Sequence, residues 1–414
     1  MECRPLKQSQ RIDLIDALRG FALLGILMVN MLLMNQPVLT MTVGPDPDAS
    51  LVQIMAESFI KFFFEGKFYV IFSMLFGFGF YIFLSKGKDT GKSTLPVFRR
   101  RLFILLLIGL AHIGLLWAGD ILVYYALFGF LLILFRKLSD KKIIIWATVL
   151  ALVPTVLYAI MVLMISFFSK SPEIKTVIDE QMHQSVLDMN QFIEEATLIY
   201  SSGSFSEIVS IRLGEYLSLL GSSLFFFCPV VLAMFLVGYL AGRKGIMVNY
   251  ADKLRLFKKI FWWGLVIGVI TNVFYTVAYR NTVLSVPDGW GLLTSSMHSI
   301  GGISLGLCYI SGLTILFIRG KAGLLIKYFV PIGRMALTNY LLQSIIAAVL
   351  FHSYGFGLFG KVEVWQSIVL TLIVFALQVM FSRWWLSQFQ FGPFEWLWRS
   401  LTYLKLQPMK KIVL

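Results

Sequence analysis

Apolar residues along this chain gather in long runs that are separated by short polar segments. A helix needs roughly 17 to 25 apolar residues to cross a bilayer, and ten runs are long enough. They cover approximately residues 14–34, 67–85, 102–118, 120–136, 143–168, 213–241, 259–279, 292–318, 326–351 and 363–387. This pattern predicts an all-α polytopic membrane protein with about ten transmembrane helices.

Composition and charge placement support that class. The 414 residues are 58% hydrophobic and carry a net charge of +14. Lys and Arg lie in short segments between the runs, which argues against a nucleic-acid-binding groove. With both termini in the cytoplasm, 28 of the 36 Lys and Arg residues fall on the cytoplasmic side and 7 on the other. We therefore expect cytoplasmic termini. The three cysteines are scattered, and no metal site is predicted.

The runs divide the chain into three parts. Residues 1–168 are expected to form an N-terminal transmembrane bundle, and residues 213–414 a C-terminal transmembrane region. Residues 169–212 are acidic and carry apolar positions at near-helical spacing, which predicts an extracytoplasmic amphipathic cap. Residues 51–66 mix apolar and charged positions and predict an amphipathic helix at the outer surface, ended by Gly66.

A transmembrane hairpin is predicted around one intramembrane histidine. The chain reads RRRLFILLLIGLAHIGLLWAGDILVYYALFGFLLILF from residue 99. The junction at Trp117 to Asp120 is too short and apolar for a domain linker. His112 lies eleven residues after Arg101, so at ~1.5 Å per residue it lies roughly 16 Å into the membrane. A histidine at that depth is a candidate functional group, although a neutral imidazole bonded to a backbone carbonyl is equally compatible.

Gly109 and Asp120 determine the expected surroundings of His112. Gly109 lies one turn before the histidine and permits a close approach of another helix or a ligand. Asp120 either caps the second arm or folds back onto His112. In the second case its carboxylate orients the imidazole and raises its basicity, as a general base requires.

The first run adds further polar candidates. Asp16 and Arg19 are three residues apart and are expected to pair on one helix face. Arg19 and Asn30 differ by roughly 20° in direction and by ~16 Å along the axis, so they line one stripe. The alternative is an interface anchor at Asp16 and Arg19 with an interhelical hydrogen bond at Asn30.

Four segments resemble the bacterial YeiB-like membrane proteins, known as domain of unknown function 418. They are IDALRGFALLGILMVN, RRLFILLLIGLAHIGLLWAGDILVYYALFG, GRMALTNYLLQS and FGPFEWLWRSLTY. That family is similar to transmembrane acyltransferases, which include heparan-α-glucosaminide N-acetyltransferase and the O-antigen acetylases. The resemblance implies a multi-pass protein of the bacterial plasma membrane, with residues 1–168 as an acyltransferase-like core and a homodimer as a further expectation.

The resemblance also implies transfer of an acyl group from cytoplasmic acyl-CoA to an envelope acceptor. O-antigen acetylases have histidine where Asn30 stands in this chain. Residues 31–98, which follow that position, contain no histidine either. The expected mechanism is therefore built around His112. We expect His112, Asp120 and Arg19 to be catalytic and Asn30 to line the thioester cavity. Arg99, Arg100 and Arg101 would bind the coenzyme phosphates. Two alternatives stay open: a transporter or lipid carrier using this cavity, and a structural membrane protein.

Overall fold

The structure is a computed structural model that describes residues 12–90, 93–282 and 286–411, leaving aside the side chains of residues 86–90. Across these ranges the protein is a bundle of α-helices. They are α1 (Asp13–Met34), α2 (Leu51–Phe63), α3 (Phe68–Thr90), α4 (Leu95–Leu115), α5 (Leu122–Phe135), α6 (Asp140–Phe168), α7 (Pro172–Ser202), α8 (Phe205–Ser222), α9 (Cys228–Arg243), α10 (Leu254–Tyr279), α11 (Gly289–Ile318), α12 (Gly323–Arg334), α13 (Ala336–Phe351), α14 (Val364–Gln388) and α15 (Pro393–Tyr403).

The helices confirm the class of multi-pass membrane protein. Within the described ranges, seven helical stretches are long and apolar enough to cross a bilayer, or eight if the bent pair α12 and α13 forms one span. The predicted hairpin arms are α4, which carries Arg99, Arg100 and Arg101 in its second turn, and α5, which has only 14 residues. The count of ten and the side of each terminus stay predictions. Residues 1–11, which contribute to the charge bias, lie outside the described residues.

The run over residues 326–351 is two helices, not one. α12 and α13 meet at a bend of 79°, and Met335 between them has the non-helical angles φ −115° and ψ 37°. Pro331 inside α12 has no backbone N–H, so it weakens the helix just before the break. The helix predicted before α3 is present as α2: Ser50 begins it in a capping box, and Gly66 at φ +83° follows it. Its place at the outer surface stays a prediction.

Glycines bring two pairs of helices into backbone contact. A Cβ on Gly77 of α3 would overlap the carbonyl of Phe235 on α9, and a Cβ on Gly238 of α9 would overlap the carbonyl of Met74. The same reciprocal arrangement joins α1 to α12 through Gly20 and Gly333. In a membrane the hydrophobic effect does not drive helices together, because lipid is as apolar as the helix surfaces. Close packing at small residues stabilises their association instead. These contacts hold α3 closely against α9, and α1 closely against α12.

The outer helices carry apolar side chains on their exposed faces. Trp262 and Trp263 on α10 are both 61% exposed, and Leu163 on α6 is 68% exposed. Such a surface is expected to face lipid. By contrast, α7 is mostly polar and exposed, and it buries only Ala196 and Tyr200 against the rest of the bundle. A helix is therefore present in the segment predicted as a cap, and the role of α7 as an extracytoplasmic cap stays a prediction.

Candidate functional site

The hairpin between α4 and α5 folds back as tightly as the sequence predicts. The backbone N–H groups of Leu116 and Trp117 both donate to the carbonyl of His112, at 2.8 and 3.0 Å. This ends α4 one turn after the histidine and redirects the chain. Asp120, which starts the second arm, therefore returns to the level of His112.

Gly109 allows the start of α5 to lie against α4. A Cβ at this position would be 2.7 Å from the backbone nitrogen of Val123 and 3.1 Å from the Cβ of Leu122. Because these contacts include the backbone of α5, a side chain at position 109 would push the two helices apart. The close approach expected at Gly109 is thus the approach of the returning helix.

Asp120 makes both of the contacts that the sequence left as alternatives. Its Oδ1 accepts a hydrogen bond from the backbone N–H of Val123 at 2.7 Å, which caps α5. Its Oδ2 lies 2.9 Å from Nδ1 of His112, and both side chains are fully buried. The distance between Oδ2 and Nδ1 is that of an ion pair, but the two groups do not have the angles of a hydrogen bond. The carboxylate therefore acts on the imidazole mainly through its charge.

The other ring nitrogen of His112 contacts a serine from a distant helix. Nε2 lies 2.8 Å from Oγ of Ser344, which is on α13 and is 1% exposed. Tyr340, one turn earlier on α13, packs its ring 5.2 Å from the imidazole centroid. With a proton on Nδ1, the nitrogen next to the carboxylate, Nε2 would accept the hydrogen bond from the serine hydroxyl. Asp120, His112 and Ser344 thus form a buried relay, which we call the Asp–His–Ser relay.

Ser344 is the site residue that the sequence did not predict. Its hydrogen bond with His112 joins residues 232 positions apart. The available signal was its place at the end of GRMALTNYLLQS, a segment unusually rich in polar groups for an apolar run. Serine is common in such runs, so that signal was weak.

Arg19 and Asn30 do not join the relay. Arg19 pairs with Asp16 at 3.0 Å, as the three-residue spacing predicts, and Asn30 is half-buried on α1. In the described part of the chain, His112 forms no hydrogen bond or ion pair with either. Their expected catalytic and cavity-lining roles stay predictions.

The charged side chain next to the hairpin is Arg212 of α8. It is fully buried and donates to the carbonyl of Gly114, two residues after His112, at 2.9 Å. Glu215, one turn later, accepts from the hydroxyl of Tyr200 and the backbone N–H of Val38, both at 2.7 Å. Arg212 is the last residue of the predicted cap, but it lies on α8, which packs it against α4.

The basic segment before α4 is partly engaged by the C-terminal helix α15. Arg100 donates through Nε to the carbonyl of Thr402. The guanidinium of Arg101 lies 4.1 Å from the ring of Trp398, whose Nε1 donates to the carbonyl of Arg101 at 2.9 Å. Arg99 is exposed. Coenzyme binding by these residues remains a prediction, and Arg99 has the most accessible side chain of the three.

The helix that carries Ser344 is anchored at its start by a buried carboxylate. Oε1 of Glu395 accepts from the backbone N–H groups of Leu337 and Thr338 at 2.6 and 3.0 Å. Its Oε2 accepts from the Thr338 hydroxyl at 2.5 Å. Burial raises the pKa of this carboxyl, and the hydrogen bonds from Thr338 and Leu337 oppose that rise. α15 therefore caps the N-terminus of α13 at the bend.

Buried amides connect α13 to α14 beyond the relay. Nδ2 of Asn339 donates to Oγ of Ser382 at 3.0 Å, and Nε2 of Gln343 donates to Oε1 of Gln378 at 3.0 Å. Nε2 of Gln378 donates to the carbonyl of Asn339 at 2.9 Å. Over the residues described, no group of three or more His, Cys, Asp or Glu side chains is placed to hold a metal ion.

These features define a class: a polytopic helical membrane protein that encloses a histidine between a carboxylate and a serine hydroxyl. Residues 241–405 match the family model of the proteins of unknown function called DUF418. The chain is 33% identical to the uncharacterized protein YxaH of Bacillus subtilis, covering 99% of this chain and 98% of that protein. It belongs to the DUF418 family of YeiB-like proteins, which confirms the family resemblance.

Two more relatives extend along nearly the whole chain. The uncharacterized protein YeiB of Escherichia coli is 29% identical, covering 94% of this chain and 95% of its own. An uncharacterized 39.9 kDa protein of Bacillus acidopullulyticus, from the amylase 3′ region, is 29% identical with 98% and 97% coverage. No solved structure matches the chain.

Proposed function

We propose that this protein is an acyltransferase of the bacterial plasma membrane. It would move an acyl group from cytoplasmic acyl-CoA to an acceptor in the cell envelope. The observation that supports this most directly is His112, with Nδ1 2.9 Å from a carboxylate and Nε2 2.8 Å from a hydroxyl. An imidazole held in this way is suited to take a proton from an attacking hydroxyl or amine.

In this proposal each candidate residue has a role. His112 is the general base, and Asp120 favours the tautomer whose Nε2 is free to accept a proton. Arg99 is an exposed cation at the basic end of α4, where it suits the phosphates of the coenzyme together with Arg100 and Arg101. Arg19 stabilises negative charge on the donor, and Asn30 lines its path. Membrane lipids surround the bundle, and a homodimer is the proposed assembly.

The test is release of free CoA thiol from acetyl-CoA and longer acyl-CoA by detergent-purified protein, with an envelope extract as acceptor. We expect His112→Ala to lower this rate by about 100-fold or more in protein that still unfolds cooperatively, although at a midpoint lowered by the loss of a buried side chain. His183→Ala is the matched control because His183 is exposed on α7, and it should retain the full rate. Full activity in His112→Ala would refute the mechanism.

A transporter is the second candidate, and one observation favours it. The 79° break between α12 and α13 adjoins the buried amides of α13 and α14, and broken helices often form transporter binding sites. Acyl-CoA should stabilise the purified protein thermally if it is an acyltransferase. Absence of both thermal stabilisation and thiol release in folded protein would favour the transporter.

A further inference from the structure

Ser344 has the position that a nucleophile occupies in an Asp–His–Ser arrangement. Asp120 contacts Nδ1 of His112 at 2.9 Å, and the hydroxyl of Ser344 contacts Nε2 at 2.8 Å. The same order of groups activates serine on unrelated folds, so it is recognised by geometry. We propose that Ser344 is a catalytic residue that carries the acyl group as a covalent ester. This inference rests on the proposed acyltransferase function.

The hydroxyl of Ser344 is directed out of its own helix, unlike the hydroxyls of Thr314 and Thr371. Thr314 and Thr371 donate to the carbonyl one turn earlier in their own helices, at 2.7 and 2.8 Å. That local bond is the usual solution for a hydroxyl within an apolar helix. Ser344 instead contacts a ring nitrogen of another helix, which is the contact that removes its proton during attack.

The first half-reaction transfers the acyl group to the protein. Oγ of Ser344 attacks the thioester carbonyl carbon while Nε2 of His112 takes the hydroxyl proton. The carbon–sulfur bond breaks, and the imidazolium returns that proton to the leaving thiolate as free CoA thiol. The charge of Asp120 stabilises the imidazolium between these two transfers. The product is an acyl ester on Ser344.

The second half-reaction delivers the acyl group to the acceptor. A hydroxyl or amine of the acceptor attacks the ester carbonyl, and Nε2 of His112 takes its proton. The bond from the carbonyl carbon to Oγ then breaks, and the proton returns to Ser344. The net change is one acyl thioester and one acceptor converted to CoA thiol and acylated acceptor, with no oxidant or further reactant.

A covalent carrier also suits the expected topology. His112 is roughly 16 Å along α4 from Arg101, so the relay lies well inside the membrane while donor and acceptor approach from opposite sides. An ester on Ser344 lets the two substrates react in turn rather than meet. Burial protects that ester, because Ser344 and His112 are 1% and 2% exposed and water would otherwise hydrolyse it.

The test is to trap the ester. Purified protein is mixed with acetyl-CoA without acceptor, quenched in acid, and measured by intact mass and peptide mapping. We expect one acetyl group on Ser344, released by hydroxylamine, and none on Ser344→Ala. Ser311→Ala is the matched control because Ser311 is equally buried, on α11, and it should acylate as the wild type does. Ser344→Cys, which keeps a nucleophile of similar size, should carry the acyl group as a thioester.

The outcomes separate this inference from the proposed function. Thiol release that continues in Ser344→Ala, or an acyl group found on His112, would overturn the serine carrier and leave the acyltransferase standing. Absence of any thiol release by folded wild-type protein with acceptor present would overturn both.

Discussion

His112 and Asp120 are eight residues apart, and the turn between α4 and α5 holds Nδ1 of the first 2.9 Å from Oδ2 of the second. Neither residue reaches the other along a helix face. Asp120 is itself fixed by the hydrogen bond from Val123 that caps α5. The orientation of the imidazole therefore depends on the geometry of the hairpin.

Replacing Asp120 by Asn separates its two roles. The amide oxygen of Asn still accepts from Val123 and keeps α5 capped, but its NH₂ group faces Nδ1 of His112 and favours the wrong tautomer. We expect the rate of CoA thiol release to fall by about 100-fold or more with little change in the unfolding midpoint. Asp120→Ala should in addition lose about 1 kcal/mol of stability with the cap. Full activity in Asp120→Asn would show that Asp120 only caps the helix.

Gly109 and Gly114 give a matched pair on α4. An alanine Cβ at Gly109 would press on the backbone of Val123, whereas no atom lies within 4 Å of a Cβ at Gly114. We expect Gly109→Ala to lower the stability by about 1 to 3 kcal/mol and to reduce thiol release because the hairpin opens. Gly114→Ala should leave both unchanged. Thermal unfolding in detergent checks the difference, and equal midpoints would mean that α5 shifts without strain.

Glu395 is a buried cap of α13, and we expect it to contribute more to stability than Glu363, which is an exposed cap of α14. In Glu395→Ala, the backbone N–H groups of Leu337 and Thr338 lose their acceptor in a buried site, at about 1 to 3 kcal/mol for each group. Glu363→Ala is the control, since Glu363 caps α14 while exposed to solvent and water can replace it. Urea unfolding of the two variants should show the larger loss for Glu395→Ala. A comparable loss in both would show that the bend does not depend on α15.

Local pattern was enough to predict the hairpin, although it left open whether Asp120 reaches His112. The junction at Trp117 to Asp120 is too short and apolar for a domain linker, and a glycine one turn before His112 indicated the close approach that Val123 makes. Arg19 and Asp16 pair as their spacing requires. These contacts are formed by residues near one another in sequence, where helical periodicity determines which side chains meet.

Contacts between distant helices were not predictable in this way. Ser344 of α13 contacts His112 of α4 across 232 positions of sequence, and periodicity within one run does not specify which helix lies next to it. Arg212 was assigned to the cap because its segment is polar, yet α8 buries it against Gly114. In both cases the pairing of helices decided the environment of the side chain.

The pH dependence of stability should report the burial of His352. Its ring stacks on Tyr200 with centroids 5.1 Å apart, and Nδ1 lies 2.7 Å from the hydroxyl of Tyr354. Burial, with a smaller effect of Arg212, lowers the pKa of His352 from 6.5 to about 3. Between those values the unfolded chain binds a proton that the folded protein does not, so stability falls as the pH drops below 6.5.

His352→Gln removes that linked proton and keeps a polar side chain near Tyr354. We therefore expect the unfolding midpoint of the wild type to fall more steeply between pH 7 and pH 5 than that of His352→Gln. His183→Gln is the matched control: His183 is exposed on α7, so this variant should keep the wild-type slope. Thermal unfolding of the three proteins across this pH range measures the slopes. Parallel slopes for the wild type and His352→Gln would mean that His352 binds its proton equally well in the folded and the unfolded protein, so that burial does not lower its pKa.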